Sequence, residues 1–193
     1  MRETIKKLKE EIGHLRTMID YDFLTGLYNR QGFTKEAEKF LEEFKNRDKI
    51  KEKRKVSFKN FSLIFLDIDN LKLINDGYGH RAGDRALKNA ANVFKNSIRD
   101  LDLVARWGGD EFVIGLVGAD KKEALKIAEK IRRKLKSIKI NSQNLSASFG
   151  IVATLGEKPK ENIFNLYELI EKADMTMYDA KKNKGKDFVA VYN

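Results

Sequence analysis

The stretch Arg106-Trp107-Gly108-Gly109-Asp110-Glu111-Phe112 constrains this chain more than any other. Apolar runs stand on both sides of it, Leu103-Val104-Ala105 before and Phe112-Val113-Ile114 after. Short β-rich runs around paired glycines predict a hairpin, with Gly108 and Gly109 supplying the positive φ of a tight turn. Such a turn projects Asp110 and Glu111 beside a backbone without side chains, where a bulky ligand can come close. Two adjacent carboxylates repel each other in a low dielectric, so a cation is their expected partner.

A second run, Phe61-Ser62-Leu63-Ile64-Phe65-Leu66-Asp67-Ile68-Asp69, predicts a buried strand ending in acids. Side chains alternate along a strand, so Asp67 and Asp69 share a face. The remaining periodicities predict a helix through Phe33, Ala37, Phe40, Leu41 and Phe44, a helical segment from Asn70 to Asn75, and a turn over Asp76–His80. A helix then starts at Asp84, and another runs from Ala124 to Ile138. A strand follows over Leu145–Ala153, then a helix through Leu166–Ala180, then a strand at Phe188–Tyr192. This order predicts an α+β domain: a central, mostly antiparallel sheet flanked by helices, with a ferredoxin-like core and the helices on one face. Polymerase palms and nucleotidyl cyclases share that plan, which is a likeness of fold and not of function.

A length of 193 residues suits one core-bearing domain and a short extension. The absence of cysteine excludes disulfides, thiolate metal sites and cysteine catalysis. No apolar run approaches the ~18 residues of a membrane span, so a cytoplasmic, membrane-free protein is expected. The net charge is +10, and eight basic against two acidic residues between Lys45 and Lys59 contribute +6 of it. Nucleic-acid patches interleave aromatics for stacking. Phe58 alone falls in this run, so it reads as a solvated helix end and loop, with no nucleic-acid partner. Ile5, Leu8, Ile12, Leu15 and Ile19 are spaced three, four, three, four. Residues 1–20 therefore read as a helical, coiled-coil-like linker ahead of a domain over 21–193, with an upstream sensory segment expected before it.

Asp22-Phe23-Leu24-Thr25-Gly26-Leu27-Tyr28-Asn29-Arg30 reads as a structured bend across which Asp22 and Arg30 would pair. It closely resembles the D-x-L-T-G-L-x-N-R motif that opens GGDEF domains, the diguanylate cyclases. Asp67 to Asp84 is similar to that family's D-x-D-x-F-K-x-x-N-D-x-x-G-H-x-x-G-D, with Leu71 in place of phenylalanine. The hairpin heptapeptide resembles the family signature. The closing motif, A-K-x-x-G followed by Arg or Lys, resembles Ala180-Lys181-Lys182-Asn183-Lys184-Gly185-Lys186, with one extra residue before the glycine.

The resemblance implies that two GTP condense into cyclic di-GMP and two pyrophosphates at a homodimer interface. It implies Mg²⁺, with Mn²⁺ as a substitute, on Asp67, Asp110 and the carbonyl of Ile68. Asp110 or Glu111 would help deprotonate or orient the attacking 3′-hydroxyl. Asn75 and Asp84 would read guanine, whose N1–H and amine suit a carboxylate, with His80 nearby. Lys72, Lys181 and Lys186 would meet phosphates, with Lys184 as the substitute for Lys186. Arg99 and Asp102, an R-x-x-D pair before the signature, would bind product and inhibit. Trp107 would pack or partly cover the site. Two other readings stand beside the cyclase. One is a catalytically silent module that binds GTP or cyclic di-GMP. The other is a polymerase-like palm, which would account for the acids and the charge but not for Asn75 and Asp84 at their offsets.

Overall fold

The computed structural model describes residues 4–5, 19–46, 60–153 and 165–192. Helix α1 (Arg30–Asn46) is followed by strand β1 (Phe61–Ile68), helices α2 (Leu71–Tyr78) and α3 (His80–Lys95), and the hairpin of β2 (Leu103–Arg106) and β3 (Glu111–Val117). Then come α4 (Lys121–Lys136), the short pair β4 (Lys139–Ile140) and β5 (Gln143–Asn144), β6 (Ala147–Ala153), α5 (Leu166–Lys184) and β7 (Val189–Val191). Five strands form one sheet in the order β2-β3-β1-β6-β7. All its pairings are antiparallel except β6 with β7. The core βαββαβ unit of the ferredoxin-like plan is therefore present, with β1 at its centre.

The sheet is covered on both faces, not on one. Ile64, Leu66 and Ile68 of β1 face a cluster that contains Ala86, Ala90 and Phe94 of α3 and Ala128, Ile131 and Leu135 of α4. Phe61, Leu63 and Phe65 face the opposite cluster, with Phe33, Ala37 and Leu41 of α1 and Leu169, Ala173 and Met177 of α5. Strand β1 is apolar at every position from Leu63 to Leu66, and its side chains are buried on both faces. Asp67 has the parity of Phe65 and so lies on the α1/α5 side. Helix α5 sits directly on β6. A Cβ on Gly150 would meet the Ala173 carbonyl and come within 2.7 Å of Met177 N.

Local differences from the sequence expectation have local causes. Asp76–Tyr78 is helical, not a turn, and the break falls at Gly79 alone, whose φ is +80°. Helix α3 thus begins at His80, which puts Asp84 inside it and not at its start. Helix α4 ends at Lys136, leaving Ile138 to a connector. The unforeseen β4–β5 hairpin turns at Asn141, whose φ of 54° is the left-handed region that asparagine tolerates. Helix α4 opens with a capping box: Asp120 accepts from Glu123 N at 2.8 Å and Glu123 accepts from Asp120 N at 2.9 Å. Of the N-terminal seam, Ile5 and Ile19 are described and both are exposed. Leu8, Ile12 and Leu15 lie outside the described residues, as does the basic stretch from Arg47 to Lys59.

Candidate active site

Strands β1 and β3 bring the two acidic segments together. Asp67 at the end of β1 is paired across the sheet with Glu111 at the start of β3. Beyond the last pair, Ile68 N donates to the Asp110 carbonyl at 3.0 Å. Asp67, Ile68, Asp110 and Glu111 thus meet at one edge of the central strands. Lys181, near the end of α5, donates to Asp67 and lies 3.7 Å from Asp69. Asp67 and Asp69 share a partner, as their parity requires. Asp69 is buried and accepts from Ser148 Oγ at 2.8 Å and Ser146 Oγ at 2.9 Å.

The hairpin turn is held differently from the expectation. Neither Gly108 nor Gly109 has a positive φ. A Cβ on Gly108 would come within 2.5 Å of Glu111 Oε2, so the carboxylate end of that side chain would have to shift. The turn is gripped by Arg106, which donates to the Gly109 carbonyl at 2.8 and 3.1 Å and to that of Gly108 at 3.2 Å. The same guanidinium pairs with Asp22 at 3.3 Å. Asp22 therefore binds Arg106 and not Arg30. Arg30 lies over the Trp107 ring, 4.6 Å from its centroid, and Trp107 packs edge-on against Phe33. Asp22 also organises its own bend, accepting from Thr25 N at 2.8 Å and Thr25 Oγ1 at 2.6 Å.

Burial pushes the Asp67 carboxyl above the usual carboxylate range; the Lys181 hydrogen bond and charge oppose this, and Asp110 and Asp69 add to it. Burial also raises Glu111, followed by the charges of Asp174, Asp110 and Asp67. Asp174, on α5, is raised by burial with Lys181 opposing. Asp174 was not among the residues singled out in the sequence. Its signal was there: it stands seven residues, two helical turns, before Lys181, so both project from one side of α5.

A raised carboxyl is costly to ionise in the fold, so its contribution to stability falls as pH rises through the raised value. Glu111→Gln is therefore expected to melt slightly higher than the parent at pH 7.5, by up to ~2 °C given solvent screening. The gap closes as pH falls and the parent carboxyl takes up its proton. Melting curves of both proteins between pH 5 and 8 check this, and a lower melting point for Glu111→Gln throughout would refute it.

The donor set fits a hard divalent cation: two carboxylates and one carbonyl, all oxygen, in a patch where acids outnumber their one ammonium. Among the described residues no three acidic or histidine side chains form a ready metal cage. Two carboxylates with one carbonyl would leave coordination positions for phosphate oxygens and water, which is how Mg²⁺ is commonly held.

The other expected residues fall in three places. Asn75 is on α2, its side chain filling the space beside Gly83 where a Cβ would stand, next to the exposed Asp84 on α3. His80 is exposed at the start of α3 and Lys72 is exposed in the first turn of α2. Lys186 Nζ donates to Asn70 Oδ1 at 2.6 Å, which brings it to the loop between β1 and α2; the Lys184 side chain is outside the described residues.

Arg99 and Asp102 lie together after α3. The Asp102 side chain is fully buried and its oxygens are committed to backbone: Val117 N at 3.0 Å and Arg99 N at 2.9 Å. The Arg99 side chain is 65% exposed, bonding Asp102 at 3.3 Å and the Val117 carbonyl at 3.2 Å. Asp102→Ala would strand two backbone donors, one of them buried, and is expected to lose about 2–3 kcal/mol of stability. Urea unfolding measures it; a loss under ~0.5 kcal/mol would mean that Asp102 is not the clamp between β2 and β3.

A family profile described as "Diguanylate cyclase, GGDEF domain" matches residues 19–187. This chain belongs to the GGDEF family. It is 32% identical to diguanylate cyclase DosC of Escherichia coli K12 over 97% of its own length, but spans only 38% of that protein. The GGDEF domain of TpbB (YfiN) from Pseudomonas aeruginosa superposes with a TM-score of 0.73 at 30% identity, covering 90% of this chain and 94% of that one. The coiled coil and GGDEF domain of DgcB from Caulobacter crescentus, solved in complex with c-di-GMP, gives a TM-score of 0.81. It covers 99% of this chain and 95% of that one at 24% identity, a likeness of fold. Diguanylate cyclases of the GGDEF family use divalent metal ions. Among the described residues no helix is long and apolar enough to cross a membrane.

Proposed function

We propose that this GGDEF domain is a diguanylate cyclase that joins two GTP into cyclic di-GMP. The observation that carries the reading is the convergence of Asp67, Asp110 and Glu111 on adjacent strands beneath Lys181. Each 3′-hydroxyl oxygen bonds to the α-phosphorus of the other GTP. Each α–β phosphoanhydride breaks, so two pyrophosphates leave and the two hydroxyl protons pass to nearby carboxylate or water. One domain offers one such edge, so two copies must face each other about a two-fold axis.

Asp67 and Asp110, with the Ile68 carbonyl, would hold Mg²⁺ or a substituting Mn²⁺. When bound there, such an ion would supply charge to offset the phosphates and to polarise the attacking hydroxyl. Lys72, Lys181 and Lys186 bind phosphate oxygens, and Lys181 must exchange its carboxylate partner for the triphosphate. Asn75 and Asp84 read the guanine edge with His80 beside them, and Glu111 orients the hydroxyl. Arg99 is the reachable cation of the product-binding site, and Asp102 positions it. Residues 1–20 would serve as a linker that brings two domains together, raising the effective concentration of the half-sites.

The purified chain incubated with GTP and Mg²⁺ is expected to yield cyclic di-GMP by chromatography and mass spectrometry, with a rate per protomer that falls on dilution. GTP bound without product at high protein concentration would replace the enzyme with a binding module.

A further inference from the structure

The turn that follows α5 is fixed by a network reaching across the domain to α4. Its central residue is Asp187, which has a φ of 61°. Asp187 N donates to the buried Asp69 Oδ2 at 3.0 Å and to Ser148 Oγ at 3.2 Å. Its carbonyl accepts from Arg132 Nη1 at 3.1 Å, and its Oδ2 accepts from the same nitrogen at 3.1 Å and pairs with Lys136. The N–H, the carbonyl and one carboxylate oxygen of a single residue are thereby held by partners on three elements. Two of these flank the acidic edge, the end of β1 and the start of β6; the third is α4.

Holding one residue this completely sets the direction of its neighbour. Lys186 stands immediately before Asp187, between two left-handed residues, since Gly185 has a φ of 90°. From there its side chain crosses to Asn70, directly after Asp69. A lysine on a loop loses rotamer freedom when its side chain is fixed, and a wandering backbone would add to that cost. Helix α4 carries none of the sequence motifs, and Arg132 does not touch the acidic edge. Its guanidinium is nonetheless only 23% exposed and is also tied to Glu129 at 3.0 Å.

We propose that Arg132 is a positioning residue for triphosphate binding: by gripping Asp187 it aims Lys186 at the loop between β1 and α2. The inference rests on the reading of Lys186 as a phosphate contact.

The test is a double-mutant cycle on ligand affinity. The probe is a GTP analogue with a methylene between the α- and β-phosphorus, which cannot release pyrophosphate, titrated calorimetrically with Mg²⁺ well below the melting temperature. Arg132→Met and Lys186→Met are each expected to weaken binding about tenfold, the loss of one charge-assisted contact. If Arg132 acts through Lys186, the double variant also loses about tenfold, not the hundredfold of independent sites. Additive losses, an Arg132→Met effect under twofold, or a parent that does not bind the analogue would overturn the proposal. Should Arg132→Met not fold, Asp187→Asn provides the same cycle, because asparagine accepts the left-handed backbone. Product formation by the parent is measured in parallel. Its absence beside a coupled cycle removes the cyclase reading and leaves the role of Arg132 standing.

Discussion

Asp110→Ala is expected to lower cyclic di-GMP formation by about a thousandfold while leaving the fold intact. The two halves of this expectation come from different atoms of the same residue. The backbone carbonyl of Asp110 accepts the Ile68 amide and closes the β1–β3 ladder, and alanine keeps that bond. Among the described residues the side chain has no hydrogen bond or ion pair, and its charge lies close enough to Asp67 to raise that carboxyl. Removing it relieves repulsion, so the melting temperature is expected to hold or rise. A parallel Asp67→Ala is less clean, because it also frees Lys181 from its carboxylate. Activity of Asp110→Ala within tenfold of the parent, at full GTP and Mg²⁺, would remove Asp110 from the chemistry. The edge would then have to work through Asp67 and Glu111 alone.

The largest expected loss of stability belongs to Gly150→Ala. Gly150 is mid-strand, paired with Phe65 on one side and Ala190 on the other. A methyl group there would run into the backbone of α5 at Ala173 and Met177, which cannot rotate away as a side chain can. The helix must lift from the sheet, at about 3 kcal/mol or more, or a fall in melting temperature of roughly 6–12 °C for a chain of this size. Helix α5 carries Asp174 and Lys181, so GTP affinity falls with it. Gly109→Ala is the matched control, since nothing lies within 4 Å of a Cβ there. Equal melting temperatures for the two variants would mean that α5 does not rest on β6 as closely as described.

Much of this domain was legible before any coordinates. The order of strands and helices followed from periodicity, and the hairpin from apolar runs around two glycines. The antiparallel pairing of β1 with β3 was not among these expectations and is set by the sheet itself. The expectation missed where a local signal served two purposes. Gly108 looked like a turn glycine, yet its φ is not positive, and the Glu111 carboxylate lies against it. Asp84 looked like a helix start, yet the glycine that breaks the helices stands five residues earlier. Arg30 closes the same bend that Asp22 opens, but a ring was available to it, and Arg106 took the carboxylate.

What the sequence determined by itself is short-range: which residues extend, which coil, where the backbone turns, and which motifs recur in order. These depend on sterics and on apolar spacing over a few residues, so a linear reading captures them. Tertiary structure alone decided the partners. Asp22 finds Arg106 across 84 residues, Lys181 finds Asp67 across 114, and Asp187 finds Asp69 across 118. The second helical layer and the grip of Arg132 on the closing turn belong to the same class. Such contacts form only when the whole sheet and both its layers have packed, and no segment of the chain holds that information alone.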